Sequence, residues 1–261
     1  MPEQQFTAIA LAGGALEADF NAAGYVAPNK AYLSVGGEPM LIRVLRALRS
    51  AHSVARIRCI TPPDDLARLS AAAQLYDDVI EPGHDLISSL LAGLGGLAAT
   101  ERALVVATDL PLLLGSHVDA FAALAAATPC DIGYGFVERS AHEHTFPYVR
   151  HTWVRLREGT FCGGGLSVMR AGTAPQVQEV LRRFTAARKS PLSLAALFSY
   201  RLMLKAVLGT LRIAEVEQRA NQISGLVCRG LLCSQPELAV NVDRLEDLRT
   251  VEQLIAGQSF H

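Results

Sequence analysis

The sequence predicts an α/β protein built around an open, mostly parallel sheet with helices on both faces. Three observations predict it. Strand-like and helix-like segments alternate through the first half of the chain. An apolar run, Phe6–Ala12, ends on Gly13-Gly14. A second near-continuous apolar run, Ala103–Ala107, ends on Thr108-Asp109, as a strand buried on both faces would.

Taken in order, Phe6–Ala12 is the first strand. Pro39–Ser50 follows as a helix, with Met40, Val44, Leu45 and Leu48 on one face. Ala55–Thr61 is the second strand, and Pro63–Tyr76 a helix with Asp64 and Asp65 in its first turn. A short strand, Asp78–Ile80, precedes the Pro82-Gly83 break, and Leu86–Ala99 is an apolar helix rich in small residues. In the second half, Asp131–Val137 and Tyr148–Met169 are strand-like, the latter broken by a hairpin turn at Arg157-Glu158-Gly159. Gln176–Arg188 and Leu192–Leu211 are helical, Ala239–Val242 is a late strand, and Glu246–Ala256 closes the chain as an amphipathic helix. Neither an internal repeat nor a linker is visible.

The 261 residues are 50% hydrophobic with a formal net charge of -1. That supplies ample core material, and without a Lys/Arg block it argues against nucleic acid as the main partner. Five scattered cysteines with no C-x-x-C predict reduced thiols in a cytoplasmic protein. Met1–Gln5 is polar and the apolar run after it is short, so no secretory leader is expected. Leu192–Leu211 is the most hydrophobic helix, but Arg201 and Lys205 interrupt it. It falls short of the ~20 apolar residues of a membrane span. It is expected as a core or lid helix, with a dimer face or membrane-surface helix as alternatives.

The chemistry begins at strand ends. A buried strand ending in glycines lets backbone N–H groups approach phosphates, and Lys30, in Pro28-Asn29-Lys30, returns from the same loop as a mobile cation. Parallel sheets bind ligands beyond the carboxyl ends of their strands, so Gly13-Gly14 and Asp109 are expected in one crevice. Asp109 either holds Mg²⁺, a hard cation suited to carboxylate and phosphate oxygens, or caps a helix beginning near Pro111. Asp243, after Val240-Asn241-Val242, is the second candidate ligand, with Asn241 as an alternative oxygen donor. Its competing role is an N-cap with Glu246 at capping-box spacing. Asp85 is open between a nucleotide contact and the N-cap of Leu86–Ala99. Arg155 and Arg157 share a strand face that suits an anion or plain solvent, and Arg188-Lys189 offers a further anion site or a charged helix end. Gly163-Gly164-Gly165 permits close substrate approach or marks a bend. No P-loop, dinucleotide fingerprint or nucleophile elbow is present, and His142-Glu143-His144, on an expected loop, is a weak metal pattern.

The set Leu11-Ala12-Gly13-Gly14, Pro28-Asn29-Lys30, Val35-Gly36-Gly37-Glu38-Pro39-Met40, Thr108-Asp109-Leu110-Pro111-Leu112, Asn241-Val242-Asp243 and Glu246-Asp247-Leu248 resembles the MobA-like nucleotidyltransferases. The match is firm over 6–110 and 239–256 and looser between. Within the superfamily it follows a branch sharing Phe161-Cys162-Gly163-Gly164-Gly165 and related to molybdenum cofactor guanylyltransferase.

The resemblance implies a Rossmann-like three-layer sandwich of the nucleotide-diphospho-sugar transferase type, one domain over 1–261. Residues 1–125 would bind the nucleotide, and 126–261, with the closing strand and helix, the acceptor. It implies transfer of a nucleoside monophosphate from a triphosphate, GTP or CTP foremost, to a small phosphorylated acceptor, with Mg²⁺ and release of pyrophosphate. Molybdenum cofactor guanylyl transfer is the first expectation, and cytidylyl or sugar-1-phosphate nucleotidylyl transfer the next. By this carry-over Lys30 and Asp109 carry catalysis and Asp109 and Asp243 hold the metal. Leu11, Ala12, Gly13, Gly14 and Lys30 hold the nucleotide, with Gly83, Asp85 and Ser89 near base and ribose. One departure stands out. The family pattern has an arginine soon after the glycines, whereas residues 15–27 here carry Glu17 and Asp19 and no cation. The alternative is therefore a nucleotide-binding protein without turnover.

Overall fold

The computed structural model of the protein describes residues 5–13, 16–187 and 199–257. Strand β1 (Phe6–Leu11) is buried along almost its whole length, as a strand covered on both faces must be. After a short helix (Ala18–Ala22) and a 3-10 turn (Lys30–Tyr32), β2 (Ser34–Val35) and β3 (Glu38–Pro39) form a small hairpin. It turns at Gly36 and Gly37, whose φ of +59° and +81° suits glycine and strains other residues. Helix Met40–Ser50 leads to β4 (Val54–Ile60), β5 (Asp78–Ile80), helix Leu86–Leu94, β6 (Arg102–Ala107) and helix Gly115–Ala127. Then follow β7 (Ile132–Glu138), helix Arg139–Thr145, and the hairpin of β8 (Val154–Leu156) and β9 (Gly159–Arg170). Helices Ala174–Ala187, Tyr200–Val207 and Ile213–Ser224 precede β10 (Cys228–Cys233) and helix Leu245–Ile255.

The strands form one sheet in the order β10-β7-β9-β6-β1-β4-β5, with β8 paired on β9. Neighbours β6-β1-β4-β5 are parallel, as are β7 and β10, while β9 runs antiparallel between β6 and β7. The expected mostly parallel sheet flanked by helices is what forms. Phe6, Ala8 and Ala10 pack with Leu41, Leu45 and Leu48 of one helix and Val118 and Phe121 of another. Ile9 and Val105 face the opposite layer with Ile60, Leu94 and Val177. A third cluster joins the chain's two ends: Phe20, Met40 and Phe146 pack on Val240, Val242, Leu248 and Val251. That cluster brings the closing helix to the mouth of β1.

Several local expectations change in the folded chain. Ala239–Val242 is not a strand. Pro236–Ala239 is a 3-10 turn, and Val242 N–H donates to the Asp109 carbonyl at 3.1 Å instead of to a ladder. The late strand is β10, whose central Gly230 spoils any alternation and sits where a Cβ would lie 2.7 Å from Phe136. No helix begins at Pro111; the helix starts at Gly115, and its run of alanines gives little amphipathic signal. Pro63–Tyr76 divides into Pro63–Ala67 and a 3-10 turn, Ser70–Ala72. Leu86–Ala99 stops at Leu94, before Gly95 and the left-handed Gly96. His142-Glu143-His144 lies on helix Arg139–Thr145, not on a loop. The strand expected from Tyr148 begins at Val154, and Arg157 falls in the turn after it. Of Leu192–Leu211, residues 192–198 lie outside the described residues, as do Gly14 and Arg188-Lys189. Among the described residues, no helix is long and apolar enough to cross a membrane.

Candidate active site

The site is assembled where β1 and β6 end side by side in parallel, with Leu11 opposite Ala107. Thr108 Oγ1 donates to the Leu11 carbonyl at 2.7 Å, and Asn29 Nδ2 donates to the Ala12 carbonyl at 2.9 Å. The Ala12 N–H is taken by the Ile60 carbonyl at 2.9 Å. These bonds satisfy the backbone leaving the sheet and hold the start of the glycine loop in place. Asn29 also accepts from the Ala31 N–H at 2.9 Å and so caps the turn that presents Lys30.

Lys30 Nζ sits 2.6 Å from Asp109 Oδ2, 2.5 Å from Asp243 Oδ1 and 4.0 Å from Glu17 Oε1. Asp109 is 13% exposed and Asp243 59%, so the cluster has a covered floor and an open rim. Burial works against the ammonium, but the two aspartates outweigh it and raise the Lys30 pKa above its ordinary 10.5. Asp243 also accepts a short hydrogen bond from Asn241 Nδ2. Its position comes from two tethers, Val242 N–H to the Asp109 carbonyl and Leu245 N–H to Asp19 Oδ2 at 3.0 Å. Helix Leu245–Ile255 is capped by Asp247, which takes the Asp243 and Arg244 N–H groups at 3.1 and 2.8 Å. The Asp243 carboxylate is thus free of the capping duty the sequence allowed it. Asp109 caps no helix either, since the next one begins six residues later.

Beside this cluster lies a cleft of about 390 Å³. Leu11, Gly13 and Asn29 form one wall, and Gly83, Asp85, Leu86 and Ser89 the other. The walls meet closely: a Cβ on Gly13 would lie 3.1 Å from Pro82 Cβ. Within the second wall, a Cβ on Gly83 would lie only 2.2 Å from Ser88 Oγ. Gly83 N–H donates to Ser89 Oγ at 3.0 Å, so this buried serine holds the loop. Asp85 caps helix Leu86–Leu94, taking Ser88 N–H at 2.7 Å. Ser88 likewise holds the Asp85 carboxyl below its usual range.

Leu11, Gly13, Gly83, Asp85 and Ser89 are therefore gathered in one cleft, and Lys30, Asp109 and Asp243 in one charge cluster, with Asn29 at the junction. Ala12 is buried and takes part through its carbonyl. Sequence reasoning assigned no role to Asn29 or Glu17. Asn29 had a signal, its place immediately before the lysine. Glu17 had none, because only folding brings its loop to Lys30. Arg150 lies 3.7 Å from Glu246, Arg155 lines the underside of Gly209, and Arg157 bonds Leu211 through its backbone. Two hard carboxylates on one cationic point also fit the donor set of Mg²⁺ beside phosphate oxygens.

A glycine turn, a lysine, a carboxylate just past a strand end and a second on the loop before the closing helix, all at the edge of a doubly covered, mostly parallel sheet, define a phosphate-handling α/β protein. The MobA-like NTP transferase domain matches residues 9–180, and the chain belongs to that family. It is accordingly a nucleotidyltransferase with a nucleoside triphosphate as donor. A hypothetical transferase from Thermus thermophilus is 32% identical, with a TM-score of 0.79 over 94% of this chain and 100% of that one. CMP:2-keto-3-deoxy-manno-octonic acid synthetase complexed with CTP is 14% identical, with a TM-score of 0.57 over 97% and 99%. The 4-diphosphocytidyl-2C-methyl-D-erythritol synthase from Anaerococcus prevotii DSM 20548 is 10% identical, with a TM-score of 0.59 over the same shares. The last two share the fold. No curated protein gives a significant match.

Proposed function

We propose that the chain joins a nucleoside monophosphate to a phosphorylated acceptor, with Lys30, Asp109 and Asp243 at the reacting phosphates. The acceptor oxygen attacks the α-phosphorus of the triphosphate, and the bond to the departing pyrophosphate breaks. The observation that carries this reading is the convergence of Asp109 and Asp243 on Lys30 beside the glycine cleft. Lys30 stays charged through the neutral range and can exchange its carboxylate partners for phosphate oxygens. Asp109 and Asp243 would hold Mg²⁺, which when bound neutralises charge on the triphosphate. Gly13, with Gly14 after it, would cradle the phosphates, and Leu11, Gly83, Asp85 and Ser89 would border base and ribose. The binding halves are 1–125 for the nucleotide and 126–261 for the acceptor. With the acceptor oxygen as the nucleophile, positioning and electrostatics carry the rate.

Among specific reactions, guanylyl transfer to a molybdenum-cofactor-type acceptor is the first reading, and cytidylyl or sugar-1-phosphate nucleotidylyl transfer the second. The free thiols of all five cysteines support a cytoplasmic setting. The test is a thermal-shift series with ATP, GTP, CTP and UTP, each with and without Mg²⁺, followed by pyrophosphate release over an acceptor panel. A shift with one nucleotide that needs Mg²⁺ is expected. Binding without any turnover would replace the reading by a non-catalytic nucleotide binder, as the missing loop arginine would then require.

A further inference from the structure

A large space lies away from the charge cluster. A cavity of about 710 Å³ lies between the sheet and the helices that follow β9, and a second of about 270 Å³ adjoins it. Both are lined by Ile132, Tyr134, Val216, Ala220 and Cys228, so they form one trough. The larger part alone is of the size that holds small ligands, far beyond the voids of a packed core.

Its chemistry excludes most ligands. Among the described residues around the larger cavity, Arg219 is the single charged side chain; Leu90, Met169 and Ile223 are typical of the rest. A pterin or sugar ring placed there would meet few polar partners for its ring N–H and hydroxyl groups, Ser167 and Ser224 beside Arg219. A hydrocarbon chain has none to lose. The trough also has the right ends. Leu86 belongs to both the larger cavity and the nucleotide cleft. At the other end Gly163 lines the smaller cavity, two residues before Gly165, where a Cβ would lie 2.5 Å from Leu110, the neighbour of Asp109. The helix that roofs the trough, Tyr200–Val207, has no buried residue. Leu202, Met203 and Ala206 face the cavity, while Tyr200, Leu204 and Val207 are exposed.

We propose that this trough holds an aliphatic chain carried by the phosphorylated acceptor, its phosphate directed to Lys30 and Asp109. The assignment rests on the transfer reading for the phosphate end and on the cavity for the chain. It makes the acceptor an amphiphile, a phosphomonoester of a long alcohol, in preference to a pterin.

The experiment is calorimetric binding of butyl, octyl and dodecyl phosphate, each below its micelle concentration, to the full chain and to two variants. Ala220→Phe fills the junction of the two cavities, and Met203→Glu puts a charge at a partly exposed rim position that folding tolerates. Affinity is expected to rise about two- to fourfold per methylene, as burial of hydrocarbon dictates. Each variant is expected to weaken dodecyl phosphate by about tenfold or more. Affinity independent of chain length, or variants that bind like the parent, would overturn the proposal as surface adsorption. The nucleotide thermal shift is read in parallel. A chain that binds nucleotide but shows no chain-length dependence loses this inference and keeps the transfer reading. A chain with the dependence but no nucleotide shift loses the transfer reading and retains the trough's ligand class.

Discussion

The mouth of β1 and β6 and the trough over β7 and β9 share one sheet yet are opposite kinds of site. At the mouth, carboxylates and an ammonium crowd within hydrogen-bond distance, with Val242 N–H bonded to the Asp109 carbonyl and the end of β1 held by Thr108 and Asn29. In the trough, mostly apolar side chains surround open space, with Arg219 at the larger cavity and the Glu217–Arg229 pair at the smaller one. The difference teaches where each property comes from. Charge that must act on a phosphate has to be positioned to fractions of an ångström, and strand ends do that. An apolar chain needs only room and dryness, which loosely spaced helices supply.

The comparison breaks first at Asp109. Asp109→Asn keeps the shape and removes the charge, so pyrophosphate release is expected to fall by about a hundredfold or more with the melting temperature little changed. Full activity in this variant would detach the mouth from catalysis. Lys30→Met should lower nucleotide affinity and turnover together and weaken all three alkyl phosphates through their shared head group, while leaving the gain per methylene unchanged, because an aliphatic tail gains nothing from an ammonium. The same lysine sharpens the picture through pH. Its folded pKa is raised above 10.5, so the stability from its aspartate pair is fully present below that value and is lost as pH climbs beyond it. Melting curves of parent and Lys30→Met should therefore differ by a constant amount up to about pH 10.5 and converge above it.

A third probe lies beside the mouth, where His151 feels the charges of Asp247 and Asp243. His142 is fully buried, its Nε2 2.9 Å from that of His151, beside Trp153 and Arg139. Burial, with His151 behind it, pushes its pKa down to about 4. A histidine depressed from 6.5 stays neutral in the native state while the unfolded chain takes a proton, so stability should fall as pH drops from 6.5 toward 4. His142→Gln is expected to flatten that acid limb in a melting series. Smallest is Asp85. Asp85→Ser retains a capping oxygen, so melting temperature is expected to hold and nucleotide affinity to change a few-fold at most. A large loss with intact stability would make Asp85 a nucleotide contact first and a cap second.

Much of the mouth was legible because its signals are local. Gly13 at a strand end, Lys30 in its turn and Asp109 after a buried strand are each readable within about ten residues. Asp85 and Ser88 wrote a capping box in four. Other features had no local signature. The strand Cys228–Cys233 carries a glycine at its centre and no alternation, and in the 13-residue helix Gly115–Ala127 six alanines spread around the axis blur the amphipathic pattern. Expecting a strand at Ala239–Val242 failed for a complementary reason: those apolar residues are buried in a side-chain cluster, not in a ladder.

By itself the sequence determined the fold class and the chemistry on offer, because hydrophobic periodicity and strand-end residues act over short spans of chain. The tertiary structure decided the rest. Lys30 and Asp243 are 213 residues apart and meet only because Phe20, Met40 and Phe146 pack on Val242 and Leu248. The trough belongs to no segment at all. It is the space left between elements, and space between packed elements is a property of their arrangement, which no stretch of residues encodes alone.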